Sequence, residues 1–196
     1  MSAATTPNLL RQQKRKQRKT LSPAQQQRHA EQLTAQLLTQ PAFINANRIA
    51  AYLANDGEIS PAEIIDQARR LGKEIYLPVL SAPGNRLLFA PFGSNSSMCR
   101  NQFGIDEPDC PPEHHLKAEQ MDLILLPLVA FDTQGNRLGM GGGFYDRSLA
   151  NIRQHDSHTH LFGLAHEIQK TEQLEVRDWD VPLDAVVTEA DFYLFG

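Results

Sequence analysis

Apolar positions along the chain recur with two different periods, and the two alternate. Leu33 and Leu37 stand one helical turn apart behind Ser22-Pro23-Ala24-Gln25. That tetrapeptide offers a side-chain cap, a proline in the first turn and a reciprocal glutamine, so a helix is expected from 23 to about 40, ahead of Pro41. Residues 48–53 (RIAAYL) form a short apolar strand, and Asn55-Asp56-Gly57 follows with turn chemistry. Ser60-Pro61-Ala62-Glu63 repeats the capping pattern and opens a helix with Ile64, Ile65, Ala68 and Leu71 on one face and Gly72 as its stop. Runs at 75–80 and 87–92 read as strands, before a Ser/Asn/Pro-rich loop through Pro112. The most continuous apolar run, 122–131 (DLILLPLVAF), has the composition of a strand covered on both faces and is expected at the centre of a sheet. A helix over 145–153, a strand over 161–165, a helix near Thr171 and a last strand over 185–188 complete the pattern.

This alternation predicts an α/β fold: a single three-layer domain over 1–196 with a mainly parallel, Rossmann-like sheet and helices on both faces. Ligands in such sheets bind beyond the carboxyl ends of the strands, which makes the loops after Leu53, after Phe131 and near Asp184 the candidate rim.

Composition narrows the class. Hydrophobic residues at 41% and charged residues at 21% suit a soluble globular protein rather than a disordered one. No apolar run approaches the roughly 20 residues that cross a bilayer, and no apolar segment follows the basic stretch as in a secretory signal, so a cytoplasmic protein without membrane association is expected. Cys99 and Cys110 match neither a zinc ribbon nor a redox CxxC pair and are expected as reduced thiols. Charge is distributed unevenly. Residues 1–20 carry six Lys or Arg and no acid, a +6 helical arm on a −10 body, with Arg11, Arg15 and Arg18 on one helical face. Such an arm favours an anionic ligand or nucleic acid at one place.

The densest chemistry lies at 135–147, where five glycines fall in nine positions. Missing Cβ atoms let backbone N–H groups approach one anion, and a helix starting near Tyr145 adds its positive end, so phosphate is the natural guest; a loose hairpin loop is the bland alternative. Arg137 and Arg147 are permanent cations suited to phosphate oxygens, and Asp146 offers a hard oxygen for Mg²⁺. The spacing is neither GxxxxGK[ST] nor GxGxxG, since no Lys-Ser or Lys-Thr follows and Phe144 fills the last glycine position. His114-His115 and the His155/His158/His160 group read as solvated, His166 as a hydrogen-bonded strand end, and the lone Trp179 as a packing residue.

The segment RLGMGGGFYDR, with the preceding DLILLPLVAFD, resembles the nucleotide loop of 5-formyltetrahydrofolate cyclo-ligases, and YLANDGEIS, LRQQKRKQRKTLSP, HLFGLAHEIQ and RDWDVPLDAVVTE extend the resemblance, in order, over nearly the whole chain. The resemblance implies that ATP is held by Arg11, Arg137, Leu138, Gly139, Met140, Gly141, Gly142, Gly143, Phe144 and Tyr145. It further implies Mg²⁺ at Asp146 and Asp184, and a reduced folate against Leu53, Glu58 and the turn from Met140 to Phe144. Arg137 and Asp146 are then the catalytic pair of an ATP- and Mg²⁺-dependent cyclisation of 5-formyltetrahydrofolate through a phosphorylated formyl group, in a monomeric enzyme. Pro7 and Gly142 stand where lysines are common in the family, and Trp179 where a histidine is frequent. Two other classes compete. An RNA-binding module would use the basic arm, although residues 1–40 contain no aromatic side chain for base stacking. A phosphate-binding isomerase or transferase would keep the glycine turn and need no ATP.

Overall fold

The computed structural model of the chain describes residues 6–81, 86–152 and 158–195. It opens with α1 (Pro7–Lys19), α2 (Pro23–Leu37) and α3 (Pro41–Asn45). Ser22 and Gln25 form the reciprocal cap anticipated from the sequence: the Ser22 hydroxyl accepts from Gln25 N at 3.3 Å, and Gln25 Oε1 accepts from Ser22 N at 2.9 Å. The helix ends at Leu37, and Pro41 starts a separate short helix, because proline suits a first turn and interrupts an interior. After β1 (Arg48–Ala50), α4 (Ala62–Arg70) has Pro61 at its cap position, with Ser60 Oγ accepting from Ala62 N at 3.3 Å. Leu71 lies just past its end and is 64% exposed, contrary to the inward face that periodicity assigned it.

The chain continues through β2 (Glu74–Ser81), β3 (Arg86–Pro91), β4 (Met98–Arg100), β5 (Asp106–Pro108), β6 (Leu123–Pro127), β7 (Ala130–Phe131), β8 (Arg137–Leu138), α5 (Phe144–Leu149), β9 (His160–Leu164), β10 (Ala185–Val187) and β11 (Phe192–Leu194). Seven strands form one sheet in the order β11-β10-β9-β6-β1-β2-β3. The five inner strands are parallel, and the edge strands β3 and β11 are antiparallel to their neighbours. Two small antiparallel pairs, β4–β5 and β7–β8, stand outside it.

Strand β6 is central, as its continuous apolar sequence requires; Leu123, Ile124, Leu125 and Leu126 are all fully buried. Successive side chains alternate between two cores. Ile49, Leu123, Leu125, Phe162 and Val187 pack under Leu33, Leu37, Phe43, Ile64 and Ala68 from α2, α3 and α4. Ala50, Ile124, Leu126, Leu161 and Val186 face the other way, against Leu149, Ile152, Met121, Phe131 and Leu183. Each large aliphatic side chain so enclosed contributes about 1.5–3 kcal/mol. Among the described residues this second face carries the short α5, the β7–β8 hairpin and irregular chain with short 3-10 turns. Gly163 in β9 allows its close approach, since a Cβ there would sit 2.6 Å from Leu128 Cδ2 and 2.8 Å from Leu183 Cδ1.

Three expectations are corrected. The run 122–131 is not one strand: β6 ends at Pro127, which lacks a ladder donor, and β7 leaves to pair with β8. Near Thr171 the helix is only a single 3-10 turn over Glu167–Gln169, and the backbone that follows is tied to the β7–β8 hairpin, with Thr171 N donating to Phe131 O, Leu174 N to Asp132 Oδ2 and Leu183 N to Gly135 O. Helix α5 stops at Leu149, and the expected end at 153 lies outside the described residues. Among the described residues, no helix is long and apolar enough to cross a membrane.

The order of strands creates a switch point. From β1 the sheet grows one way to β2 and β3, and from β6 it grows the other way to β9 and β10. Loops leaving the carboxyl ends of β1 and β6 therefore diverge and leave a crevice between them, where ligands bind in open α/β sheets.

Candidate active site

A cavity of about 510 Å³ opens at that crevice. Its floor includes Tyr52 and Leu53 after β1, Leu77 and Pro78 from β2, and Pro127 and Leu128 at the end of β6. Its walls come from the glycine turn, the loop containing Phe103 and Ile105, the start of α1, and the segment with Glu175, Arg177, Trp179 and Asp180. The volume lies in the ordinary range of small-molecule sites.

The basic arm is fastened onto this end of the sheet. Arg18 is fully buried; its Nε donates to Asp56 O at 2.8 Å, Nη2 to Asp56 Oδ2 at 2.9 Å and Nη1 to Leu128 O at 3.3 Å. Arg15 Nε donates to the same Asp56 Oδ2 at 2.6 Å, and Lys19 pairs with Oδ1. Hydrogen bonds from Arg15 first, then from Lys19 and Arg18, hold the Asp56 carboxyl well below the usual carboxylate range. Lys14 Nζ donates to Ile168 O at 2.7 Å and Lys170 O at 2.6 Å. Arg11 Nε donates to Gly139 O at 2.8 Å and so reaches the glycine turn, while Pro7 lines the cavity. Five of the arm's six cations, Arg11, Lys14, Arg15, Arg18 and Lys19, therefore anchor it to its own body, which removes the feature on which the RNA-binding alternative rested.

Asp56, at φ 53°, turns the chain so that Glu58 faces the cavity. Glu58 Oε2 accepts from Asn55 N at 3.1 Å, and Oε1 lies 3.8 Å from Arg18 Nη2. Burial pushes the Glu58 carboxyl above its ordinary pKa, against the pull of Asn55 N–H and Arg18. Burial likewise raises the Tyr145 phenol, with the Glu58 charge adding to it and Arg137 opposing.

The glycine turn leaves β8 and enters α5. Gly141 at φ 101° and Gly143 at φ 63° take conformations that side chains disfavour, and Gly143 serves as the cap residue of α5. At Gly142 a Cβ would lie 2.7 Å from the Phe144 ring, so an empty position there lets the ring fold across the turn. Among the described residues, the N–H groups of Met140, Gly141 and Gly142 donate no hydrogen bond to the protein, as an anion cradle requires. Beside them Arg137, only 6% exposed, donates from Nη2 to Asp146 Oδ1 at 2.5 Å and from Nη1 to Val181 O. Helix α5 has six residues, so its dipole adds little.

The structure thus brings together Arg11, Leu53, Glu58, Arg137, Leu138, Gly139, Met140, Gly141, Gly142, Gly143, Phe144, Tyr145 and Asp146 around one cavity. It does not bring Asp184 there. That residue precedes β10, at the amino ends of the strands, where its Oδ2 accepts from Leu161 N at 2.7 Å. Of the two carboxylates expected to share a Mg²⁺, Asp146 lines the cavity and Asp184 does not. Arg147 also turns aside; its Nη2 donates to Gly142 O at 2.6 Å and its guanidinium lies 5.3 Å from the Phe144 ring centroid, outside the cavity lining. For Mg²⁺, one carboxylate at the cavity edge is an adequate protein donor set, because that ion keeps several waters and takes phosphate oxygens.

Sequence reasoning missed Phe103 and left the role of Trp179 open, with packing as the commoner use of a lone tryptophan. Phe103, 57% exposed, meets Phe144 edge to face at 5.6 Å between centroids, closing the cavity over the glycine turn. Trp179, also in the cavity lining, is 65% exposed with the Arg177 guanidinium 5.6 Å from its ring, and so is not a packing residue. A single aromatic within a polar loop is the only trace either leaves in the sequence.

Comparison with known proteins agrees with this architecture. Residues 4–189 match the model of the 5-formyltetrahydrofolate cyclo-ligase family. The 5-formyltetrahydrofolate cyclo-ligase of Escherichia coli K12 is 42% identical over 176 residues, covering 89% of this chain and 95% of that one. That of Haemophilus influenzae is 42% identical over 170 residues, covering 86% and 90%. The solution structure of Aquifex aeolicus 5,10-methenyltetrahydrofolate synthetase superposes with a TM-score of 0.81 at 30% identity, covering 96% of this chain and 92% of that chain.

Proposed function

The chain belongs to the 5-formyltetrahydrofolate cyclo-ligase family, and from that premise we propose that its cavity binds ATP and 5-formyltetrahydrofolate side by side and closes the folate to 5,10-methenyltetrahydrofolate with release of ADP and phosphate. The observation that carries this reading is the single cavity bounded by the glycine turn on one side and by Leu53 and Glu58 on the other. A donor cradle for phosphate and a half-apolar, half-acidic seat for a heterocycle stand within one space.

The chemical difficulty is the N5-formyl group, a resonance-stabilised amide whose oxygen is a poor leaving group. ATP supplies the activation: its γ-phosphoryl passes to the formyl oxygen, N10 attacks the formyl carbon, and phosphate departs with that oxygen. Such transfer asks the protein chiefly for alignment and for stabilisation of charge. Arg137 answers the second need, as a cation fixed by Val181 O and Asp146 in the lining of the same cavity as the turn. Met140, Gly141 and Gly142 contribute backbone N–H groups, and Arg11 closes the turn from the arm. Asp146 holds Mg²⁺, which offsets phosphate charge when bound. Glu58 receives N–H groups of the pterin, and burial, which raises its pKa above the ordinary glutamate value, favours its holding a proton more readily than a solvated carboxylate does. Tyr145 and Phe144 wall the reacting groups from water. The protein acts as a cytoplasmic monomer in this reading.

The test is direct. Purified protein given 5-formyltetrahydrofolate and MgATP should develop the methenyl chromophore in step with phosphate release, and each should require both substrates and Mg²⁺. Phosphate release unaffected by the folate would remove the assignment and favour a phosphate-binding enzyme of another class.

A further inference from the structure

Away from the cavity, three side chains from distant parts of the chain converge: His29 on α2, His166 after β9 and Glu189 after β10. None of them lines the cavity described above. His29 Nδ1 lies 3.0 Å from His166 Nδ1 and 3.2 Å from Glu189 Oε1, and one potential ligand atom from each residue lies within 4.8 Å of the others. Among the described residues this is the only group of three or more His, Cys, Asp or Glu side chains so arranged.

The protonation logic of the group is uncomfortable without an added cation. A neutral imidazole carries one N–H and one lone pair. If His166 donates through Nδ1, then His29 Nδ1 accepts and turns a lone pair toward the Glu189 carboxylate. If His29 donates instead, one proton is shared between two acceptors. Either way two lone-pair-bearing atoms are left to share a single N–H. Separations of 3.0 and 3.2 Å are close to the roughly 3.3 Å edge of a tetrahedron built on metal–ligand bonds of about 2.0–2.2 Å.

The surroundings orient the ligands. Glu189 Oε2 accepts from Glu167 N at 2.9 Å, which turns the other oxygen toward His29. His166 is fully buried and its backbone N donates to Gln169 Oε1 at 2.9 Å; Gln169 in turn donates to Leu128 O at 2.7 Å. The outer hydrogen bond on Glu189 is the usual companion of a metal ligand, while the buried His166 Nε2 has no hydrogen-bond partner.

We propose that His29, His166 and Glu189 bind one borderline divalent transition-metal ion of the Zn²⁺ type, distinct from the Mg²⁺ of the reaction. Two imidazoles and one carboxylate suit zinc-like ions, whereas Mg²⁺ prefers oxygen and retains water. Side-chain exposures of 16% for His29 and 13% for Glu189 leave a route for the ion and for a water in the fourth position. The ion ties α2 to the loops at the ends of β9 and β10, and so has a structural role.

The experiment uses nucleotide-free full-length protein, stripped with chelator and titrated with Co²⁺. The expected result is a visible d–d absorption that saturates at one equivalent, is displaced by Zn²⁺ and survives a large excess of Mg²⁺. His29→Ala and, separately, Glu189→Gln should weaken binding at least tenfold, and Zn²⁺ should raise the Tm of the parent protein but of neither variant. Circular dichroism of the metal-free variants confirms that they fold, and Glu189→Gln, nearly isosteric, serves if His29→Ala does not. Absence of absorption at one equivalent, or equal binding by the parent and both variants, overturns the proposal.

Discussion

Arg18 Nη2 donates to Asp56 Oδ2 at 2.9 Å across 38 residues of sequence, with the guanidinium fully buried. Removing one partner of such a pair leaves a buried charge, at a cost of about 3–5 kcal/mol. Asp56→Asn, which leaves Arg15, Arg18 and Lys19 without their shared anion, is therefore expected to lower stability at pH 7 by about 3 kcal/mol in urea denaturation. The Asp56 carboxyl titrates below its unfolded value, so its contribution is present above the usual carboxylate pKa and is lost as pH falls through the lower folded value. The gap between parent and variant should thus narrow in acid. An equal gap at pH 7 and pH 3 would show that Asp56 acts by shape alone.

The pairing of Arg137 with Asp146 at 2.5 Å makes the second prediction. Asp146→Asn keeps the shape and removes the charge that would hold Mg²⁺. Turnover should fall at least tenfold and the Mg²⁺ concentration for half-maximal rate should rise, and Tm should fall as well because the 6% exposed Arg137 loses its anionic partner. Methenyl formation measured against Mg²⁺ concentration reads both. An unchanged Mg²⁺ dependence would remove Asp146 from the metal site.

The sequence carried the fold further than it carried the site. Leu123 to Leu126 announced a central strand because a strand buried on both faces has no room for alternation, and Ser22 with Gln25 announced a helix start because caps are local. Edge strand β11 and the β7–β8 hairpin left no such mark: each is only two or three residues long and is defined by pairing with distant chain. The glycine turn was legible from its density of glycines and neighbouring charges. The place of Asp184 outside the cavity lining was not legible, because its neighbours in sequence say nothing of which end of the sheet it occupies. Phe103 and Trp179 reach the cavity from irregular segments whose course is set by tertiary hydrogen bonds, and the His29, His166 and Glu189 group joins three elements that no spacing rule connects.

Gly142 stands where a Cβ would lie 2.7 Å from the Phe144 ring. In Gly142→Ala the ring must swing away, and Phe144 is the partner of Phe103 across the cavity mouth. The turn is exposed, so the expected change in stability is under about 1 kcal/mol. The KM for ATP or for the folate should nevertheless rise severalfold, because a small misplacement of a positioning loop is costly to catalysis. Steady-state kinetics with each substrate varied in turn, beside a thermal melt, separates the two effects. Unaltered kinetics would mean that the turn tolerates the displaced ring.

Glu58 sets stability against binding. Burial raises its pKa, so the folded protein favours the protonated form more than the unfolded chain does. Its favourable contribution is therefore present below the ordinary glutamate pKa and is lost as pH rises through the higher folded value, which leaves a destabilising carboxylate at neutral pH. Glu58→Gln removes that charge at nearly constant shape while retaining an oxygen to accept from Asn55 N. The variant's Tm at pH 7 should equal or exceed the parent's and should vary less between pH 4 and pH 7. If Glu58 seats the pterin, the same change weakens a charge-assisted hydrogen bond worth about 1.5 kcal/mol, and the KM for 5-formyltetrahydrofolate should rise about tenfold with the KM for ATP little changed. Melts across pH and kinetics with the folate varied test the two halves separately. A variant less stable at pH 7 overturns the first, and an unchanged folate KM overturns the second.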